Sequence, residues 1–162
     1  MRKFLLTVAV VGAFAALGGV TFAVAAPGKS ADVYGVGGGR TDAGTFKFDL
    51  SAHVAGTREY GHVGVTQTAA GNQVSLWIDV DCVIVAGHDA VIGGEAQKVR
   101  PVPNTFGFAD GDRFIVLVHD GGNPSAAPVD GFVAFKVTGN CGQFSSGTFM
   151  NVTQGNITVK SA

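Results

Sequence analysis

Charged side chains are scarce in this sequence, and no basic cluster interrupts it. Asp, Glu, Lys and Arg make up 14% of the residues, and the formal net charge is -1 at pH 7. Soluble domains average about 25% charged residues, and nucleic-acid-binding proteins concentrate Lys and Arg on one surface. We therefore expect no nucleic-acid partner.

Long apolar runs are also missing after Pro27, although one opens the chain. Arg2 and Lys3 precede it, and it ends in the small residues 23–25, which form an A-x-A cleavage signal. The alternative is an uncleaved anchor, since the run is about long enough to span a bilayer. Its Gly and Ala content, and the lack of a basic cluster after it, favour cleavage. We predict a signal peptide at 1–25, a secreted or otherwise extracytoplasmic protein, and no membrane insertion after cleavage.

The rest of the chain has the length of one domain. Removing 25 of 162 residues leaves 137, enough for a hydrophobic core but not for two ordinary domains. We predict a flexible lead-in at 26–32 and a single domain at 33–162. The compact basic start and the composition rich in Ala, Gly and Val are typical of a bacterial exported protein.

Cysteine is nearly absent: Cys82 and Cys141 are the two in the chain. In an exported protein such a pair predicts a disulfide, and the alternative is two free, buried thiols. The bridge would close a loop of 141 − 82 = 59 residues, worth roughly 4 kcal/mol in chain-entropy models.

Helical periodicity is hard to find, whereas alternation with a period of two recurs along the chain. In GTFKFDLSAHVAG the apolar side chains between 46 and 54 share one face, and the polar face carries Lys47, Asp49, Ser51 and His53. YGHVGVTQTAAGN continues the pattern with Val63 and Val65 on its apolar face. The segments 72–87, 113–120, 131–139 and 155–160 also predict strands, and HDAVIGGEAQ predicts a short one. VYGV and QFSSGTFM predict weaker strands, and 99–112 predicts a loop. Gly-Asn, Gly-Gly and Asp-Gly pairs supply turns. The fold class predicted is all-β, a single antiparallel β-barrel or β-sandwich domain, with the barrel preferred because several strands are long.

The segment NQVSLWIDVDCVIVAG carries the candidate ligand-binding residues. Alternation puts Val74, Leu76, Ile78, Val80 and Cys82 on one face and Trp77, Asp79 and Asp81 on the other. If the second face lined a barrel interior, it would form a polar pocket with an aromatic floor, in which the two carboxylates could share a proton or bind a cation. The alternative is that this face is the solvent side of the strand.

The segment FIVLVHDGGNPSAAPVDGF carries the candidate metal ligands. Asp120, Asn123 and Asp130 follow the apolar strand and offer hard oxygen ligands of the kind that calcium prefers. The loop lacks the dense acidic spacing of a calcium loop, and Asp beside Gly also makes turns by bonding to nearby backbone. We favour a role in ordering the loop, and no role for His119 follows from the sequence.

No coherent catalytic set emerges from the motifs. His53 and His62 flank a predicted hairpin and could face each other across it as a two-ligand surface site. A Ser-His-Asp triad is compatible with the residue types, but no Gly-x-Ser-x-Gly elbow is found. GVGGGR, at 35–40, is followed by strands rather than by a phosphate-binding helix. We predict no cofactor.

Five segments together resemble a family of small exported bacterial all-β domains of uncharacterised function. In chain order they are VYGVGGGRT, GTFKFDL, HDAVIGG, FIVLVHDGGNPSAAPVDGF and QGNITVK, and they span nearly all of the domain. The resemblance implies no catalytic residue. It does imply that the VHDGG…P…D loop is a family trait with a structural role.

Two hypotheses of function follow. The first is an exported non-catalytic domain that acts in binding or as a structural part of the cell envelope, with an extracellular protein or glycan as its partner. The alternative is a small β-barrel enzyme of the isomerase or hydrolase type, or a ligand-binding barrel, that uses a polar pocket around Trp77, Asp79 and Asp81.

Overall fold

The computed structural model describes residues 30–122, 129–144 and 147–161, so the predicted signal peptide lies outside the described residues. Those ranges are all-β, as predicted, and contain no helix that could span a bilayer. A single short 3-10 turn, Cys141–Gln143, lies among the strands there. The strands are β1 Ser30–Thr41, β2 Gly44–Ala55, β3 Arg58–Ala69, β4 Asn72–Ala86, β5 Asp89–Ala96, β6 Arg113–His119, β7 Gly131–Val137, β8 Met150–Asn151 and β9 Gln154–Ser161.

Two-residue turns join the first five strands. The turns occupy 42–43, 56–57, 70–71 and 87–88, and the second residue of the third turn, Gly71, has a φ of 78° that glycine adopts without steric cost. Such short turns fix the register of each hairpin, so the side chains that alternation assigns to one face of a strand meet those of its neighbours.

The strands form one antiparallel sheet in the order β8-β7-β6-β5-β4-β3-β2-β1-β9. The sheet is curled into a half-barrel. Phe48 on β2 and Phe132 on β7 stack with ring centroids 4.3 Å apart, although four strands stand between β2 and β7 in the sheet. The concave face therefore packs against itself, and its fully buried side chains include Val33, Val63, Ile78, Ile92, Phe114 and Ile157.

Two carboxylates bridge the sheet between β9 and the β6–β7 connection. Asp130 Oδ2 accepts the Ile157 N–H at 2.6 Å, and Asp120 Oδ2 accepts the Val159 N–H at 2.9 Å. These N–H groups lie on the edge of β9 that does not pair with β1, so the carboxylates satisfy donors that an edge strand leaves unpaired. Asp130 is 4% exposed and is the buried charged residue of the described ranges.

A bulge in β4 reverses its alternation and corrects one prediction. Val80 pairs with Gly94 and Cys82 with Gly93, which leaves Asp81 as the extra residue. Cys82 therefore does not share the inward face of Val80, as alternation predicted, but lies on the outer face.

The outer face beyond the bulge is covered by a second apolar cluster around the predicted disulfide. Cys82 and Cys141 are bonded, as predicted, and Cys141 is fully buried with Ile115 and Leu117. A Cβ on Gly93 would approach the Cys141 sulfur to 2.8 Å, so glycine makes room for the bridge.

The weaker strand predictions had mixed outcomes. VYGV lies within the twelve-residue β1, which begins at Ser30, inside the segment 26–32 predicted as a lead-in. Of QFSSGTFM only Met150 is in a strand, because Gln143 belongs to the 3-10 turn and 147–149 are irregular; residues 145–146 lie outside the described ranges. The loop predicted at 99–112 is confirmed, and Arg100 forms an isolated bridge to Ser75 there.

We predict that Asp130→Asn destabilises the fold. The Asp130 carboxylate accepts two backbone N–H bonds, whereas an amide offers one acceptor oxygen and turns its NH2 group toward the other N–H. The loss expected is about 2–3 kcal/mol in the free energy of unfolding, measured by urea denaturation. Asp42→Asn, the same change in an exposed turn, is the control. Equal stability of the two variants would contradict a role for Asp130 in joining β9 to the β6–β7 connection.

We also predict that the disulfide stabilises the domain by lowering the conformational entropy of the unfolded chain. Replacing both Cys82 and Cys141 by Ala should lower the free energy of unfolding by roughly 2–5 kcal/mol. Urea denaturation of the two proteins measures the difference. A decrease of less than 1 kcal/mol in the free energy of unfolding would show that the segment around Cys141 is held to the sheet by packing alone.

Candidate functional site

Five ring-bearing side chains share the outer face of the sheet over β1–β4. This aromatic patch consists of Tyr34, His53, Tyr60, His62 and Trp77. The strand registers put His53 opposite Tyr60, while Ser51 is opposite both Tyr34 and His62. Four of the rings adjoin a buried core residue along their strand, and Tyr60 is the register partner of His53, so all five lie on the face opposite the core.

The rings of the aromatic patch stack in cross-strand pairs. The His62 and Trp77 rings lie 4.4 Å apart at 10°, and the His53 and Tyr60 rings lie 5.2 Å apart at 29°. Tyr34 and Tyr60 are both 40% exposed. Aromatic surface of this kind is apolar on its faces and polar at its tips, which suits a ligand of mixed polarity.

A hydrogen-bonded chain of three side chains runs through the patch. Ser51 Oγ lies 2.8 Å from His53 Nε2, and His53 Nδ1 lies 2.7 Å from Asp32 Oδ1. The ionised carboxylate can only accept, so Nδ1 of a neutral His53 carries the proton and Nε2 accepts the Ser51 hydroxyl. His53 is thus held in one tautomer by its neighbours.

Cations flank the aromatic patch on two sides. The Lys160 ammonium lies 5.1 Å from the centroid of the Tyr34 ring, and the Arg58 guanidinium lies 5.0 Å from that of Tyr60. Hydrogen bonding to Lys160 lowers the pKa of the Tyr34 phenol and raises the pKa of the ammonium.

A shallow groove of about 460 Å³ lies beside Trp77. Lys47, Lys98 and Arg100 line it together with one carboxylate, Asp49. Arg100 pairs with Asp110 at 3.5 Å, whereas Lys47 and Lys98 form no ion pair within the part of the chain that the structure describes. The charge lining the groove is positive on balance.

The predicted ligand residues Trp77, Asp79 and Asp81 lie on the outer face and do not line the interior of the curled sheet. Trp77 is half-buried at the groove, and Asp79 is exposed. Asp81, at the bulge, forms two bonds of 2.7 and 2.8 Å with the Arg113 guanidinium, which raises the pKa of Arg113. The structure thus places Trp77 beside the groove and gives Asp81 a structural partner.

The predicted metal ligands fall partly outside the described residues, where Asn123 lies. Asp120 and Asp130 each accept a loop amide, from Gly122 at 2.8 Å and from Gly121 at 2.9 Å, in addition to the β9 amides. The two carboxylates therefore bond to backbone amides at the ends of the loop, as predicted. Among residues 30–122, 129–144 and 147–161 no three His, Cys, Asp or Glu side chains form a metal-binding group.

His119 has a structural partner as well. Its Nδ1 lies 2.7 Å from Asp89 Oδ1 on the adjacent strand β5, and its ring is 5.8 Å from that of Phe149. The pair fastens the end of β6 to the start of β5.

Sequence reasoning missed Ser51 and Asp32 as members of one site. Alternation did place Ser51 and His53 on the polar face of β2, but Asp32 was predicted to lie in the flexible lead-in and not in a strand. The two-residue turn at 42–43 was the available signal, because it pairs β1 with β2 so that Asp32 is opposite His53.

His53 and His62, predicted as a two-ligand site, lie diagonally on the same face. Each has its own carboxylate: His53 has Asp32 at 2.7 Å, and His62 has Asp49 at 3.7 Å. The two imidazoles are therefore engaged separately, each with an acid of its own.

Comparisons with known protein families, with curated proteins and with solved structures found nothing that matches this chain.

Proposed function

We propose that this protein is an exported binding domain and that the aromatic patch with its groove binds a saccharide. The observation that carries the proposal is the placement of Tyr34, Tyr60 and Trp77. They are every Tyr and Trp of the chain, and all three lie on adjoining strands of the outer face rather than in the core.

A saccharide suits this surface better than an apolar ligand. The C–H faces of sugar rings stack on aromatic rings, while their hydroxyls need donors and acceptors close by. Ser51, Asp49 and the hydrogen-bonded pair of Thr66 and Ser75, 2.9 Å apart, supply those groups between the rings. The curled sheet presents these side chains from paired strands, so the surface is preorganised for binding.

The charge lining the groove narrows the saccharide class. Three cations and one carboxylate surround the space beside Trp77, so a saccharide that carries carboxylates gains electrostatic attraction that a neutral one lacks. An exported location is supported by the N-terminal sequence, in which Arg2 and Lys3 precede an apolar run. It agrees with the Cys82–Cys141 disulfide, since such bonds persist in oxidising compartments.

We predict that polygalacturonate binds and changes the emission of Trp77, the single Trp of the chain. A neutral β-glucan should bind more weakly, and salt should weaken polygalacturonate binding because the lysines are solvent-exposed charges. Tyr34→Ala and Tyr60→Ala should each weaken binding by about 1 kcal/mol, roughly fivefold, in fluorescence titration.

Matched controls keep the ring and remove the hydroxyl. Tyr34→Phe and Tyr60→Phe should bind within twofold of the unchanged protein, because stacking survives. No emission change with either polysaccharide, or Ala variants that bind as tightly as the Phe variants, would rule out the aromatic patch as a saccharide site.

A further inference from the structure

We propose that Ser51, His53 and Asp32 form a hydrolytic site for acyl esters. Ser51 is the nucleophile, His53 is the general base and then the general acid, and Asp32 is a positioning residue. The substrate class is an O-acylated saccharide, and this part rests on the proposed function.

The connectivity of the three side chains is that of an acyl-transfer triad. A hydroxyl reaches one imidazole nitrogen at 2.8 Å, and a carboxylate holds the other at 2.7 Å. Triads are recognised by this geometry and not by chain order or fold. With Nδ1 of His53 protonated toward Asp32, Nε2 can take the Ser51 hydroxyl proton, which is the arrangement that activates serine.

The fold holds this geometry on rigid elements. Ser51 and His53 are two residues apart on β2 and therefore share a face, and Asp32 is the register partner of His53 on β1. All three belong to strands that are paired on both sides, since β1 also pairs with β9 and β2 with β3. Sites built on such elements keep their distances better than sites on loops.

A second His–Asp pair in the chain shows what sets this one apart. His119 and Asp89 also lie 2.7 Å apart, but among the described residues no side-chain hydroxyl is hydrogen-bonded to the other nitrogen of His119. Among the described residues the carboxylate–imidazole hydrogen bond of 2.7 Å occurs at these two histidines, and a serine hydroxyl is added at His53. His119 therefore offers a control with the same local chemistry and no nucleophile.

The reaction needs no group beyond substrate and water. Ser51 Oγ bonds to the ester carbonyl carbon while His53 Nε2 takes the hydroxyl proton. The bond to the alcohol oxygen then breaks, and the alcohol leaves with that proton from His53. Water attacks the acyl-serine and gives a proton to His53. The carboxylic acid departs as Ser51 Oγ takes the proton back.

The test is hydrolysis of p-nitrophenyl acetate by the purified protein. Ser51→Ala and His53→Ala should lower kcat/KM at least tenfold, since general-base assistance contributes about 10²–10⁴-fold and the site is open to water. Asp32→Asn should lower kcat and leave KM unchanged, because it disturbs the imidazole and not the bound ester. His119→Ala should hydrolyse at the unchanged rate. A Ser51→Ala protein within twofold of the unchanged one would overturn the proposal.

Covalent labelling identifies the nucleophile independently. Diisopropyl fluorophosphate should phosphorylate Ser51, displacing fluoride, and peptide mass spectrometry should find the adduct there. The adduct should be absent from His53→Ala, whose thermal melt shows whether it is folded. Adduct on another residue, or none on a protein that hydrolyses the ester, would overturn the assignment.

Two further measurements separate this proposal from saccharide binding. Asp32→Asn should bind polygalacturonate normally and lower kcat on p-nitrophenyl acetate, because Asp32 contacts His53 and lies outside the aromatic patch. Acetylated pectin should release acetate with the unchanged protein and not with Ser51→Ala. If hydrolysis depends on Ser51 but no polysaccharide binds, the proposed function and the saccharide substrate are rejected, and the hydrolytic site is retained. Binding without Ser51-dependent hydrolysis would reject the hydrolytic site alone.

Discussion

The structure depends on how the edge of β9 is satisfied. A sheet of nine strands buries its concave face only if it curls, and curling brings β9 to the β6–β7 connection rather than to a complete partner strand. Asp130 and Asp120 take the place of that strand by accepting two of its backbone N–H groups. Asp130 is buried, so the loss of its carboxylate would leave the N–H groups of Ile157 and Gly121 without partners in a place that water reaches poorly.

Filling the interior has a direct consequence for function. The concave face is occupied by stacked Phe rings and branched aliphatic side chains, so the polar and aromatic side chains of β1–β4 are left on the convex side. The phenylalanines Phe46, Phe48 and Phe132 stack inside, whereas Tyr and Trp, which have a polar group to satisfy, lie outside. The candidate site and the core packing thus use opposite faces of the same strands.

Alternation predicted the faces of β2 and β3 correctly because both are uninterrupted and solvated on one side. It failed in β4 at Asp81, where the bulge moved Cys82 to the outer face. The run Cys82–Val85, apolar at every position, did carry the sign of a strand buried on both faces. What covers it could not be foreseen, since the segment around Cys141 returns from 59 residues away in sequence.

In the candidate site, too, the side chains on one strand could be predicted from the sequence pattern, whereas the pairing between strands could not. Ser51 and His53 could be read from the polar face of one strand, but Asp32 joins them only through the pairing of β1 with β2. That pairing is set by the two-residue turn between Thr41 and Gly44. Because side chains alternate along a strand, a turn one residue longer that slipped this register would bring the face of Val33 or Ala31 opposite His53 and turn the carboxylate away. The distance of 2.7 Å between His53 and Asp32 is therefore a property of the turn as much as of the two residues.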